Sequence, residues 1–207
     1  MRKYLSVFVD AIIAGICIAI GGIAFLSIEN SVVGALFFTL GLFTIVTRQY
    51  NLFTGKVCYI FDNKTSYLLD VVIIWIGNLA GTYLTGALVK ATRIVKICER
   101  AETMCQTKLN DNLLSLFVLA IFCNMLIFIA VDGFKNNEHH VGKYLSLFFG
   151  VAGFIVCGFE HCVADMFYFT VGSAWSGKTF GCLMIITLGN IVGGLLLPLA
   201  KKVRVNK

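Results

Sequence analysis

Long apolar runs separated by short polar stretches fill this chain, and each run has the length of a membrane-spanning helix. The runs cover residues 5–28, 31–47, 67–89, 113–131, 144–159 and 180–200. A helix needs about 20 mostly apolar residues to cross the hydrocarbon core of a bilayer. The second run resumes near residues 57–61, and the fifth resumes and continues to about residue 171. The pattern predicts an all-α membrane protein with six transmembrane helices, of which the second and the fifth are broken.

Polar residues stand at both breaks, at a depth where lipid would otherwise surround them. The fifth run is interrupted by Gly-Phe-Glu-His at positions 158–161, and the second is followed by Asn-Leu-Phe-Thr-Gly at positions 51–55. An ionisable residue inside a span usually faces a protein or water-filled interior and marks a transport path. Interrupted spans at corresponding places in two halves are typical of transporters built from inverted repeats.

A repeated motif supports this division into halves. Gly-Asn-x-x-Gly occurs at positions 77–81 in the third run and at positions 189–193 in the sixth, each at a similar distance after a broken span. We expect these residues to pack helices closely, with the asparagine as a hydrogen-bonding group. We therefore predict a single transmembrane domain over residues 1–207, with inverted three-helix repeats at about residues 5–89 and 113–200.

Composition and charge exclude other classes of protein. The 207 residues are 58% hydrophobic and 14% charged, whereas soluble domains are about 45–50% apolar. The formal net charge of +6 is concentrated before the first span and after the last, in Arg2, Lys3, Lys201, Lys202, Arg204 and Lys207. Basic flanks are typically cytoplasmic, so we expect both termini in the cytoplasm. The basic connection at residues 90–108 then lies outside, against that trend, and no basic soluble surface favours nucleic-acid binding.

The two breaks together predict a central chamber that suits anions. Irregular backbone survives at membrane depth only where it is buried or lines a cavity. The N-termini of half-helices carry partial positive charge, and their free N–H groups bind anions. The nearby apolar residues that would form the walls are Phe37, Phe38, Leu42, Leu52, Phe53 and Phe154.

These motifs resemble the formate/nitrite transporter family. Asn-Leu-Phe-Thr-Gly is similar to the family's loop of an acid followed by Leu-Phe-Thr-Gly, and Gly-Phe-Glu-His is similar to its G-[FY]-E-H-S-x-A-N-M motif. Cys123-Asn124 and Gly189-Asn190 also match. The resemblance implies aquaporin-like protomers in a homopentamer, each with its own pore for small monovalent anions, in the lipid bilayer of a prokaryotic cell membrane. It implies neither a cofactor nor a bound metal.

The resemblance also implies roles for individual residues. His161 matches the central pore histidine, Thr54 the loop threonine that hydrogen-bonds across the pore, and Lys108 a lysine that folds in towards the histidine. Glu160 is expected to orient the broken helix. Asn124 matches an asparagine of the family. Phe38 and Phe154 match the outer constriction, and Leu42 and Leu52, beside Phe53, match the inner constriction.

Two positions depart from the family pattern. Asn51 replaces the usual acid of the first loop, and Asp165 replaces the usual asparagine four residues after His161. The acid and the amide appear exchanged between two positions. We therefore expect Asn51 and Asp165 to contact each other and support the loop that contains Thr54.

The sequence thus predicts a channel or transporter, not an enzyme, for the anion of a small weak acid. Formate is the first choice, with nitrite, hydrosulfide and lactate as alternatives. A full charge in an apolar constriction is strongly opposed, and protonation at His161 would let a neutral acid pass. Whether the proton crosses with the substrate stays open. The eight cysteines suggest a different class, a membrane thiol oxidoreductase, although the sequence contains no C-x-x-C motif.

Overall fold

The structure, a computed structural model, describes residues 2–205 and forms regular secondary structure there only as helices. Lys207, one of the basic terminal residues, lies outside the described residues. The first half contains α1 (Arg2–Ser27), α2 (Ser31–Arg48), α3 (Phe53–Val57), a 3-10 turn (Ile60–Asp62) and α4 (Tyr67–Lys90). A connecting helix follows, α5 (Val95–Asn110). The second half contains α6 (Leu113–Asn136), α7 (His140–Val156), α8 (Cys162–Val171) and α9 (Gly177–Val205).

Five of these helices are long and apolar enough to cross a membrane, namely α1, α2, α4, α6 and α9. The fifth predicted span is divided between α7 and α8, which are apolar but only 17 and 10 residues long. Many large apolar side chains are exposed on the outside of the molecule. Leu114 and Phe149, for example, are each 71% exposed. Such a surface suits a lipid environment. The predicted all-α class is confirmed, and the count of six crossings stays a prediction.

The breaks differ in position from those that hydropathy predicts. The short helix α3 begins at Phe53 and ends at Val57, whereas the predicted stretch at residues 57–61 is mostly turn and 3-10 helix. In the second half, α7 ends at Val156, and Gly158 turns the chain with a φ of 68°. A positive φ is readily adopted by glycine. Apolar residues such as Phe53 and Phe159 stand beside the polar residues of the breaks, so hydropathy does not mark where the helices end.

The polar connection predicted at residues 90–108 contains the amphipathic helix α5. Its buried residues Ile97, Ala101, Cys105 and Lys108 recur at helical spacing and form one face. Two hydrogen bonds from Arg100 Nη1 tie this helix to the end of α1, at the carbonyls of Leu26 (2.6 Å) and Ile28 (2.7 Å). The helix α5 therefore packs against the other helices, and its residue Lys108 is buried in the protein.

Equivalent helix pairs form the body of each half, α1 with α4 and α6 with α9. The Gly-Asn-x-x-Gly motif lies at both contacts. A Cβ atom on Gly81 would overlap the Ile12 carbonyl oxygen, and one on Gly193 would overlap the Ile121 carbonyl oxygen. Small residues allow such close backbone approach between membrane helices. The expectation of close helix packing at this motif is confirmed.

We predict that Gly193→Ala destabilises the protein, because the new methyl group meets backbone that cannot rotate away. Overpacking of this kind typically costs about 1–3 kcal/mol. The control is Gly181→Ala on the same helix, where a Cβ meets nothing within 4 Å. The fraction of purified protein that stays monodisperse after heating should fall for the first variant only. Equal behaviour of both variants would contradict the close contact of α6 and α9.

Candidate functional site

Asn78 fixes the first break through three side-chain hydrogen bonds. Its Oδ1 accepts the backbone N–H of Phe53 (2.8 Å), at the start of α3. Its Nδ2 donates to the carbonyls of Ala11 (2.7 Å) and Asn51 (2.9 Å). The side chain is fully buried. One amide therefore joins α1, the loop and the first N–H of the short helix.

Asn190 makes the same three bonds in the second half. Its Oδ1 accepts the backbone N–H of Cys162 (2.9 Å), at the start of α8. Its Nδ2 donates to the carbonyls of Ala120 (2.8 Å) and Glu160 (2.9 Å). This side chain is also fully buried. The motif predicted close helix packing with a hydrogen-bonding asparagine, but it did not predict that each asparagine anchors the start of a broken helix, although the recurrence of the motif was the available signal.

Thr54 and His161 meet where the two short helices begin. Thr54 Oγ1 lies 3.0 Å from His161 Nε2, and both residues are buried. The other ring nitrogen, Nδ1, accepts the backbone N–H of Ala164 at 3.1 Å and so caps α8. Because Nδ1 acts as an acceptor, the proton of a neutral ring is on Nε2. The imidazole then donates to Thr54 Oγ1, and the threonine hydroxyl hydrogen is free to donate elsewhere.

Aromatic rings lie directly against this pair. The Phe154 ring stacks on the His161 ring, with centroids 5.4 Å apart and planes 18° apart. The Phe38 ring meets Phe154 edge-on, with centroids 6.0 Å apart. The other predicted constriction residues, Leu42, Leu52 and Phe53, are also buried. Phe37, which was predicted to form part of the chamber wall, lies instead on the outer face of α2, where 55% of it is exposed.

Lys108 lies between two carboxyl groups, those of Glu160 and Asp165. Its Nζ contacts Glu160 Oε2 and lies 3.0 Å from Asp165 Oδ1. The side chains of the three residues are 10%, 6% and 1% exposed, in the order Lys108, Glu160, Asp165. The positive charge of Lys108 is therefore compensated by neighbouring acids, and Lys108 is not a free cation.

The expected contact between Asn51 and Asp165 is absent from the described residues, and that expectation is wrong. The Asn51 side chain donates to the Val7 carbonyl at 3.4 Å, whereas Asp165 pairs with Lys108. A buried carboxylate is stabilised far more by an ammonium group than by a neutral amide. Asn51 therefore binds α1, whereas Asp165 binds Lys108 on α5.

Asn124 lies behind the second break. Its Nδ2 donates to the backbone carbonyl of Asn190 at 2.6 Å, and its side chain is fully buried. Within residues 2–205 its Oδ1 has no hydrogen-bond partner. The residue supports the helix that contains the Asn190 anchor, and its described bond does not reach His161.

The cysteines form no disulfide in the described part of the chain. All eight are unpaired, including Cys98 and Cys105, and Cys105 Sγ donates to the Tyr168 carbonyl at 3.3 Å. Among residues 2–205, no three His, Cys, Asp or Glu side chains are grouped to hold a metal ion.

Comparisons with known proteins agree with this geometry. The family model described as formate/nitrite transporter matches residues 1–201. The chain belongs to the formate/nitrite transporter family. Members of this family are channels and transporters, so the chain is an integral membrane transport protein and the thiol-oxidoreductase alternative is wrong.

The relatives include proteins from several bacteria. The chain is 30% identical to the uncharacterized transporter YrhG of Bacillus subtilis over 181 residues, which are 80% of this chain and 68% of that protein. It is 25% identical to the formate channel FocB of Escherichia coli, over 95% of this chain and 85% of that one. A solved pentameric formate channel with formate bound superimposes with a TM-score of 0.86 at 25% identity, covering 100% of this chain and 99% of the other.

We predict that Asn190→Asp impairs folding, because a carboxylate still accepts from Cys162 but cannot donate to the carbonyls of Ala120 and Glu160. Each buried group that loses its partner costs about 1–3 kcal/mol. The control, Asn63→Asp, also removes a bond to a backbone carbonyl, at an exposed site. The yield of monodisperse protein should fall for the first variant only. An unaffected Asn190→Asp protein would contradict the anchoring role.

Proposed function

We propose that this protein is a channel or transporter for the anions of small weak acids, with formate as the first substrate. The observation that supports this most is the buried Thr54–His161 pair, which lies where two broken helices begin and against the Phe154 ring. Such a site offers hydrogen-bond donors inside an apolar passage. The names of relatives, among them formate channels of Escherichia coli and Haemophilus influenzae, favour the same substrate.

We infer that the assembly is a homopentamer in which each protomer has its own pore. The similarity to a pentameric formate channel over nearly the whole of both chains supports this. We also infer six membrane crossings in two inverted repeats, with both termini in the cytoplasm. The matched hydrogen bonds of Asn78 and Asn190 support the repeats, and the basic residues at both ends support the orientation.

The proposed passage binds the anion through the Thr54 hydroxyl. Because His161 Nε2–H donates to Thr54 Oγ1, the hydroxyl hydrogen is directed away from the ring and is available to donate to an anion. A hydroxyl that accepts one hydrogen bond also becomes a better donor in the next. The rings of Phe38 and Phe154 oppose a full charge, because moving an ion into an apolar medium has an idealised cost of about 20 kcal/mol. Transfer of a proton to the anion removes that barrier.

His161 is proposed as the group that hands the proton to the anion. Its neutral form uses Nδ1 to cap α8 and Nε2–H to bind Thr54. A doubly protonated ring has no free acceptor nitrogen, so it would lose the bond to the Ala164 N–H. The structure of the cap therefore favours a neutral resting ring. The ring becomes charged only when it takes up a proton from water, and it returns to the neutral form when it passes one proton to the anion.

We predict that proteoliposomes containing the protein transport formate, accept nitrite or hydrosulfide to a lesser degree, and exclude sulfate. A second negative charge makes desolvation in the apolar passage much worse. Fluxes of formate, nitrite, hydrosulfide, lactate and sulfate should be compared over a range of pH, with empty liposomes as the control. Rapid sulfate flux would contradict the mechanism, and absence of flux for every small anion would contradict the proposed function.

We predict that His161→Asn keeps its assembly but lowers formate flux and changes the pH dependence of that flux. Asparagine is a good N-cap and can still accept the Ala164 N–H, whereas the titratable ring and its Nε2–H are lost. The control is His139→Asn, at an exposed position before α7. Flux across a pH series should be measured beside the oligomeric state. A wild-type pH profile in His161→Asn would rule out the proton role.

A further inference from the structure

Three ionisable side chains form one buried cluster next to the proposed anion site, and their formal charges do not balance. Lys108 Nζ contacts both Glu160 and Asp165, so the two carboxyl groups share a single ammonium. If both acids are ionised, the cluster has a net charge of −1. Glu160 is adjacent in sequence to His161, so this charge would lie beside the chamber that receives an anion.

Backbone amides do not supply the missing positive partner. In the first turn of α8, the N–H of Cys162 donates to Asn190 Oδ1 and the N–H of Ala164 donates to His161 Nδ1. The N–H of Asp165 donates to the His161 carbonyl. These three amides, which lie at the helix end nearest the carboxyl groups, are therefore bonded to neutral acceptors.

One atom of the cluster is unsatisfied. Asp165 Oδ2 is buried and receives no hydrogen bond from any group in residues 2–205. A charged oxygen without a donor is costly in such surroundings. A proton on this carboxyl group would remove the charge from the unsatisfied atom and bring the net charge of the cluster to zero.

The other titratable groups near the cluster do not provide a second cation. Those that face it are His161, Cys162 and Tyr168 on α8 and its cap, Cys105 on α5, Cys123 on α6 and Cys182 on α9. The histidine is neutral when it caps α8, and the remaining groups are neutral or negative. Lys178, near Cys182 on α9, is exposed and forms no ion pair with either acid within residues 2–205. Lys108 is thus the positive charge against which both acids must be balanced.

We propose that Glu160 and Asp165 bind one shared proton beside Lys108, and that this proton makes the cluster neutral so that an anion can approach Thr54 and His161. Two carboxyl groups that share a site cannot easily both ionise. The inference rests on the proposed anion transport. It assigns to this chain a proton site that depends on Asp165.

Proton and anion binding are then coupled in both directions. A bound anion favours the neutral cluster, and a neutral cluster favours the anion, by the same factor. As pH rises, the shared proton is lost, the cluster becomes negative, and anion binding weakens. Asp165→Asn removes this dependence, because Lys108 and Glu160 then balance each other at every pH at which both are charged.

The test compares Asp165→Asn with wild type in two measurements. Infrared spectra of the purified wild-type protein should contain the C=O band of a buried protonated carboxyl group, which Asp165→Asn should lack. His161→Asn and Asp70→Asn should both keep the band, because Asp70 pairs with Lys3 elsewhere. Coupling between sites is typically about 5–150-fold, so formate flux at alkaline pH should be at least about fivefold higher in Asp165→Asn than in wild type.

The outcomes separate this inference from the proposed function. Absence of formate flux in wild type overturns the function itself. Formate flux with the same alkaline loss in wild type and Asp165→Asn, or a protonated-carboxyl band that persists in Asp165→Asn, overturns the shared proton. If Asp165→Asn does not assemble, the wild-type spectrum still decides, because absence of the band there refutes the proposal. Glu160→Gln then takes the place of the variant in the flux measurement.

Discussion

Two buried asparagine amides, those of Asn78 and Asn190, are the interactions on which the rest of this site depends. A helix that stops inside a membrane leaves N–H and C=O groups that lipid cannot satisfy. Each amide satisfies one N–H and two C=O groups with a single side chain. Because the anchored N–H belongs to the first residue of a short helix, each amide also fixes where that helix begins.

The position of the polar pair follows from those two anchors. Thr54 lies one residue after the anchored Phe53, and His161 lies one residue before the anchored Cys162. Fixing the two helix starts therefore brings the hydroxyl and the ring to 3.0 Å across a separation of 107 residues. The glycines next to the asparagines serve the same end, since they let α1 and α4, and α6 and α9, approach closely enough for the amides to reach.

Hydropathy and motif spacing predicted the class, the long helices and the existence of two breaks. They did not predict the start of α3 at Phe53, because that start is set by the hydrogen bond that the Phe53 N–H donates to Asn78 Oδ1 and not by local polarity. The pairing of Asp165 with Lys108 was also missed. The exchange of an acid and an amide between two positions suggested Asn51 as the partner of Asp165. The actual partner is Lys108 on α5, a helix whose buried face is hard to recognise in a mostly polar segment.

In the proposed function, the charge arrangement would let an apolar passage admit an anion without a free cation. An unpaired lysine beside the pore would attract the anion but also bind it too firmly for release. Lys108 is instead paired with two acids, which is one carboxyl group more than its single charge can balance. If the two acids share one proton as proposed, the electrostatic state of the site is determined by that proton and not by a fixed positive group. His161, whose two nitrogens are both committed to hydrogen bonds in its neutral form, is consistent with the same principle.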